Sequence, residues 1–459
     1  MNSRPQVGFR PCLCNILSQN DSKPLPAADS VLIEFTVENY RSLLSDQRLS
    51  LAASADEVHE ATHVALAPDG ERVLRVAAVY GPNASGKSNL LSAVSAMRHV
   101  VLGSARGTLG DEIAEAQPFG LDEAAATVPT TFEAVFVADG VRYQYGFSAT
   151  RKRVESEWLY AFPKRRSRLL FSRELDGDRE TYEFGETLAG PKKVYRDATR
   201  PNALFLSTAV QLNSEPLRPV HDWFLRSLVY VDPTRSMNPF RPHRGTLRHC
   251  ETDEGRKRIV RLLRAADVGI EDMIVETIEA DGTVLPASVR ERVTEAEAER
   301  YLRMRRQTLV RFVHEGASPG AAPLPLRAES LGTQRLFALA GRLLDVLEDG
   351  RVLVADELGS SLHPNILRAI VELFVDPKAN RAGAQLVFTT HDTNLLDQGL
   401  LRRDQYWFTE KGRDGATTLY PLTDFKPRKG VEPLEKNYLK GRYGALPIPR
   451  FPRAVAGEG

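Results

Sequence analysis

Cysteine is scarce in this chain: Cys12, Cys14 and Cys250 are the only three among 459 residues. So low a count excludes a disulfide framework, and the spacing is not that of a zinc site, so a reducing, cytoplasmic setting is expected. No apolar run is long enough to span a bilayer, which argues against a membrane helix. An excess of one charge is missing as well. Lys and Arg total 61 against 60 Asp and Glu, so there is no global electrostatic footprint for nucleic acid, only local patches. Heptads are not sustained, so no long coiled coil is predicted. Residues 1–30 show little apolar periodicity and lack the basic start and apolar core of a signal peptide. They read as a flexible tail, with the true start expected near Val31.

What remains is an ordinary globular composition, 42% hydrophobic and 26% charged, long enough for two or three domains or one with a large insertion. "VLIEFTVENY" (31–40) alternates as a strand does, with "QRLSLAAS" (47–54) as its antiparallel partner. "VLRVAAVY" (73–80) is a continuous apolar run, as a buried parallel strand would be. It runs into "GPNASGKS", which fits G-x-x-x-x-G-K-[ST] in full, and a helical pattern follows. Strand, glycine loop and helix form the setting in which backbone N–H groups cradle phosphates. Gly81, Pro82, Asn83, Ala84, Ser85 and Gly86 form that loop. Lys87 is placed to reach the β- and γ-phosphates, Ser88 to hold magnesium, and Asn89 to continue the first turn.

"RVLVADE" (351–357) supplies the complementary half. Its strand carries Asp356 toward the magnesium, and Glu357 is the candidate general base for an attacking water. "QLVFTTHD" (385–392) is a further buried strand, ending in His391, which can report the γ-phosphate or be purely structural. One segment exceeds what a single nucleotide site needs. In "AESLGTQRLFALAGRLL" (328–344), Ser330 and Gly332 stand at the head of an amphipathic helix. The plain reading is a serine N-cap. The other is that this helix start caps the nucleotide of a second copy, so that ATP is sandwiched in a homodimer.

The order of these motifs resembles the ABC-type ATPase head shared by RecF, SMC and OLD proteins. "ESLGTQR" is similar to the signature L-S-G-G-Q-Q-R, with Leu331 and Thr333 as departures, and "SSLHP" (360–364) to the D-loop that crosses to a partner subunit. More narrowly, "FTVENYRSL", "RPNALFLSTAVQLN", "DELGSSLHP", "VFTTHDTNLLD" and "GRYGALP" resemble the RloA/AbiL-type ATPases of bacterial restriction and abortive-infection loci. The resemblance implies that Asn39 and Arg41 lie close to the nucleotide and Gln211 near the metal and the water. It also implies anti-phage defence, a homodimer or higher oligomer, and an RloB-like partner with a TOPRIM-like nuclease fold. A RecF-like, ATP-gated DNA clamp is the alternative. Only 68 residues follow His391, without clustered nuclease carboxylates, so this polypeptide is not expected to cut DNA itself.

Other patterns are weaker. "HEATH" (59–63) fits the zinc-protease pattern H-E-x-x-H, but it lies in a polar connection without a further ligand motif, and a solvated loop or short helix is expected. "RKR" (151–153) and "KRRSR" (164–168) are read as solvated strand ends, with DNA or RNA contacts as the alternative. The basic segment 425–453, with Tyr438, Tyr443 and Phe451, could bind a nucleic acid strand, but docking on the head or a partner is favoured. The fold expected is α/β: an ABC-type P-loop head over 31–245 and 322–424 with an antiparallel β-lobe. A mostly helical insertion is expected over 246–321, and a basic tail over 425–459.

Overall fold

The computed structural model describes residues 30–163, 166–231, 244–278, 307–316, 318, 322–430 and 432–447. They fall into two compact units. The smaller takes the described residues within Thr234–Leu344 and Ser361–Ile366; the larger takes those within Asn20–Pro233, Asp345–Ser360 and Leu367–Gly459.

The larger unit begins with β1 (Val31–Glu38) and β2 (Gln47–Ser50), antiparallel as their alternation predicts. β3 (Val64–Leu66) and β4 (Arg72–Leu74) form a small ribbon. The apolar run expected as one strand is broken at Arg75, and β5 (Val76–Tyr80) starts after it, every residue buried. Five strands follow: β6 (Thr130–Ala138), β7 (Val141–Ala149), β8 (Val154–Ala161), β9 (Arg168–Asp176) and β10 (Arg179–Phe184). With β1 and β2 they make a seven-stranded antiparallel sheet, ordered β10-β9-β8-β7-β6-β1-β2. Asp139 and Gly140 both take positive φ, 47° and 74°, at the β6–β7 turn. That is the conformation a two-residue type I′ hairpin requires.

β11 (Leu228–Val231), β15 (Val352–Ala355), β16 (Gln385–Thr389), β17 (Tyr406–Lys411) and β18 (Thr417–Pro421) join β5 in a second sheet. Its order is β11-β15-β16-β5-β17-β18. All pairings are parallel except the β17–β18 hairpin at the edge. Helix Lys87–Gly103 packs its apolar residues into the shared core. The architecture is α/β with an antiparallel lobe, as expected.

Two buried polar devices join these layers. The Gln385 side chain accepts from Leu32 N–H at 2.7 Å and donates to Leu32 C=O at 3.0 Å and Leu74 C=O at 2.9 Å. It replaces a strand partner at the β1 bulge between Leu32 and Glu34. In the lobe, Glu157 is wholly buried and accepts the N–H groups of Phe205 (2.6 Å) and Leu206 (3.0 Å). Arg173, also buried, donates to the Ala203 carbonyl at 2.7 Å and to Glu180. Together they fix the start of helix Phe205–Gln211, where the sequence mixes helical and strand periods.

The smaller unit holds helices Arg244–Cys250 and Asp253–Ala265, then β12 (Ile270–Ile278), β13 (Gln307–His314) and β14 (Leu324–Pro325) in one antiparallel sheet. The described part of 246–321 is thus mixed, helical only in its first half. The helical pattern over 289–307 lies outside the described residues up to 306; Gln307 opens β13. Residues 1–29 also lie outside them.

Burial pushes the Glu157 carboxyl pKa up, and Arg173 opposes this. Replacing Arg173 with Met removes that opposing charge from a dry interior. Arg173→Met is expected to lower unfolding free energy by about 3–5 kcal/mol, measurable by urea denaturation followed through tryptophan fluorescence.

Candidate nucleotide site

β5 ends at Tyr80, and the chain turns at once into the glycine loop. Gly81 has φ 156° and Gly86 φ 105°. A Cβ on Gly81 would stand 2.6 Å from Ser85 Oγ, and one on Gly86 would collide with Thr417. Both positions need glycine for space and for backbone freedom. Lys87 opens the helix and is 5% exposed. Its ammonium donates to the carbonyls of Gly81 (2.8 Å) and Pro82 (2.9 Å). Burial lowers its pKa to about 8, against the pull of Asp356 and Glu357. Ser88, Asn83 and Ala84 are exposed at the loop's rim.

Parallel pairing sets β16 beside β5 and β15 beside β16, so Asp356, Glu357 and His391 follow strands that end at the same edge. Thr389, the last residue of β16, is fully buried. Its hydroxyl donates to Asp356 Oδ1 at 2.6 Å and accepts the Glu357 N–H at 2.6 Å. Glu357 holds φ 46°, an uncommon conformation for a non-glycine residue. His391 is exposed. Partial desolvation and then the Lys87 charge lower its pKa, while Glu357 and Asp356 oppose this. The ring therefore shares an electrostatic neighbourhood with all three. Hydroxyl and carboxylate oxygens at Ser88 and Asp356 are the hard donors that suit magnesium.

The loop is propped from the side by residues that lie outside its motif. Thr409 on β17 bonds Ser85 Oγ at 2.6 Å; Thr417 on β18 donates to the Ser85 carbonyl at 2.9 Å. Thr417 also bonds Ser42 Oγ (2.8 Å), which accepts from Asn89 Nδ2 (2.7 Å). No local pattern marks these threonines, because their role depends on strands more than 300 residues downstream of the loop.

The remaining site residues divide. Arg41 (φ 53°) lies on the loop's helix, donating to Ser92 Oγ at 3.1 Å and Gln117 Oε1 at 2.9 Å, with its guanidinium exposed. Asn39 is turned away from solvent. Its amide donates to the carbonyls of Ala125 and Val128 (2.8 Å each), and Oδ1 accepts from Phe119 N–H at 2.9 Å. That occupation is an organising role for the 119–129 loop and gives no support to a direct nucleotide contact. Gln211 is the exposed last residue of its helix. In the smaller unit, Ser330 Oγ accepts Thr333 N–H at 3.1 Å, so Ser330 is the N-cap of helix Leu331–Asp349. Leu331 stands 59% exposed beside it. A Cβ on Gly332 would meet the Ser361 carbonyl at 2.7 Å, so this glycine lets the D-loop segment approach the helix start.

The weaker motifs resolve. His63 is buried in the short helix Glu60–His63 and bonds the Leu400 carbonyl (2.8 Å); His59 bonds that of Gln398 (3.0 Å). No cluster of metal ligands occurs among the described residues. Arg151 pairs with Glu112 and Arg153 with Glu180. Lys164 and Arg165 lie outside the described residues. The segment 432–447 docks: Tyr438 and Tyr443 stack on Phe408, and the Tyr443 hydroxyl donates to Glu432. No helix among the described residues is long and apolar enough to cross a membrane.

The family model described as "AAA domain, putative AbiEii toxin, Type IV TA system" matches residues 76–397. The chain belongs to that AAA family. The match runs from the first residue of β5 past His391, so it takes in the phosphate loop, both acidic residues and the signature-like segment. Comparison with curated proteins finds no match. Among solved structures, this AAA protein is similar to an SmcHead bound to the C-winged helix domain of ScpA. Identity is 12% and the TM-score 0.42, over 85% of this chain and 97% of that one. It is also similar to the SMC head domain from Thermotoga maritima (15%, TM-score 0.36, 85% and 98%). A third is an Smc head domain with an extended coiled coil bound to the C-terminal domain of ScpA derived from Pyrococcus furiosus (11%, TM-score 0.40, 86% and 97%).

Burial holds the His63 imidazole pKa down at about 4, against 6.5 in the unfolded chain. Between those values the unfolded chain binds the extra proton, so this contribution to stability is present above pH 6.5 and lost as pH falls toward 4. His63→Gln is expected to flatten that part of the stability–pH curve, measured by thermal melting from pH 7.5 to 4.

Proposed function

We propose that this AAA protein binds ATP with magnesium at the Gly81–Ser88 loop and hydrolyses it. The observation that carries this reading is one sheet edge holding a buried, partly desolvated lysine in a glycine loop, with an acidic pair two strands over. Lys87 exchanges the Gly81 and Pro82 carbonyls for phosphate oxygens, and loop N–H groups complete the cradle. Ser88 and Asp356 would hold the magnesium, which neutralises phosphate charge. Glu357 accepts the proton of the attacking water, and His391 donates to the γ-phosphate. Arg41 lies alongside, and Gln211 is assigned to the water side.

Dimerisation around ATP belongs to the same proposal. Ser330 caps its own helix with one lone pair, and exposed Leu331 beside it suits contact with a second copy. The biological setting we propose is bacterial anti-phage defence, with a separate nuclease or effector as the regulated partner. The family description, which names a putative toxin of a toxin–antitoxin system, supports that setting.

Lys87→Ala is expected to lower ATP affinity by roughly 100-fold or more, the loss of about 3 kcal/mol from a charge-assisted contact, by titration calorimetry. Glu357→Gln is expected to keep affinity, lose turnover, and pass from monomer to dimer on ATP-Mg in light scattering. Retained turnover would remove Glu357 from its role. Ser330→Arg in the Glu357→Gln background is expected to bind ATP and stay monomeric; a dimer there would return Ser330 to helix capping alone.

A further inference from the structure

The catalytic edge contains a group that no motif marks. A threonine hydroxyl has one proton to give and lone pairs to receive. At Thr389 both capacities are committed. The proton goes to Asp356 Oδ1 and a lone pair takes the Glu357 N–H, each at 2.6 Å. The Thr389 carbonyl accepts Leu358 N–H at 3.2 Å, so one residue of β16 holds three consecutive residues after β15. The Thr389 side chain is fully buried. Glu357 between these anchors sits at φ 46°, a conformation a free chain seldom adopts.

We propose that Thr389 is a positioning residue for both acidic groups at once. Resting on the ATPase reading, the proposal assigns it two effects. Engaging Oδ1 fixes the rotation of the Asp356 carboxyl and leaves its other oxygen for a metal to use. Holding the Glu357 N–H keeps that backbone left-handed, which sets where the Glu357 carboxylate points. Buried and engaged by Asp356 and Glu357, Thr389 acts through these two neighbours. Valine has the same shape without donor or acceptor, so Thr389→Val isolates the hydroxyl. Serine restores it.

The test compares wild type, Thr389→Val and Thr389→Ser for kcat, KM, the magnesium concentration giving half-maximal turnover, and binding of a fluorescent ATP analogue in EDTA. Losing an outer-shell partner to a metal ligand costs roughly 10–100-fold in metal affinity or activity. The expected result for Thr389→Val is a kcat loss of that size and a raised magnesium requirement. Metal-free analogue binding stays at the wild-type level, and Thr389→Ser recovers most of the kcat. A valine variant with unchanged kcat and magnesium response overturns the proposal, as does a serine variant as impaired as valine. If Thr389→Val does not fold, Thr389→Cys against Thr389→Ser carries the same comparison, since a thiol is a weak donor. Wild type that binds no analogue with magnesium present and shows no turnover refutes the ATPase reading, and this inference with it. Binding in wild type together with an unaltered valine variant refutes this inference alone.

Discussion

Parallel hydrogen bonding between β15, β16 and β5 is the constraint on which the rest depends. Val352 pairs with Gln385 and Leu386 with Val76, so the three strands run in one direction and finish at one edge. Parallel strands cannot be joined by tight turns, so their connections are long and the residues after each strand come from distant parts of the sequence. That is how a glycine loop, an acidic pair and a histidine become neighbours. Each follows a strand whose residues are nearly all buried, and a one-residue slip in any of them would turn its outward chemistry inward.

The polar groups inside this protein carry a second kind of information. Gln385 imitates a strand to complete β1, Glu157 caps a helix from beneath, and Arg173 gathers carbonyls ahead of it. Each would be costly to leave unpaired. An apolar side chain in these places could fill space but would not specify which backbone groups it must meet. The lobe and the parallel sheet are therefore joined at defined addresses as well as by the continuous apolar core between them.

Much of the fold was legible because periodicity is local. Alternation announced β1, and unbroken apolar runs announced β15 and β16. The phosphate loop and the acidic pair were legible because contiguous residues do the work. Where expectation and structure part, tertiary context intervenes. Arg75 interrupts an apolar run that reads as one strand. Gln307 opens a strand where a helical charge pattern ends. Asn39 is occupied by a loop some 80 residues away, which nothing near it discloses. Thr389, Thr409 and Thr417 read as ordinary strand residues, since their importance lies in which strand pairs with which.

Strand order also fixes a timetable for the ribosome. β5 pairs only with β16 and β17, and the Gln385–Leu74 bond at its base spans 311 residues of chain. At about 5–20 residues per second, translation takes roughly 15–60 s to cover that distance. For that interval Val76–Tyr80, wholly apolar but for one tyrosine hydroxyl, is synthesised without either neighbour. The antiparallel lobe, whose strands from β6 to β10 are consecutive, can close meanwhile. The nascent chain thus carries a finished lobe and an unshielded sticky strand side by side, a natural client for chaperones until the last fifth of the protein emerges.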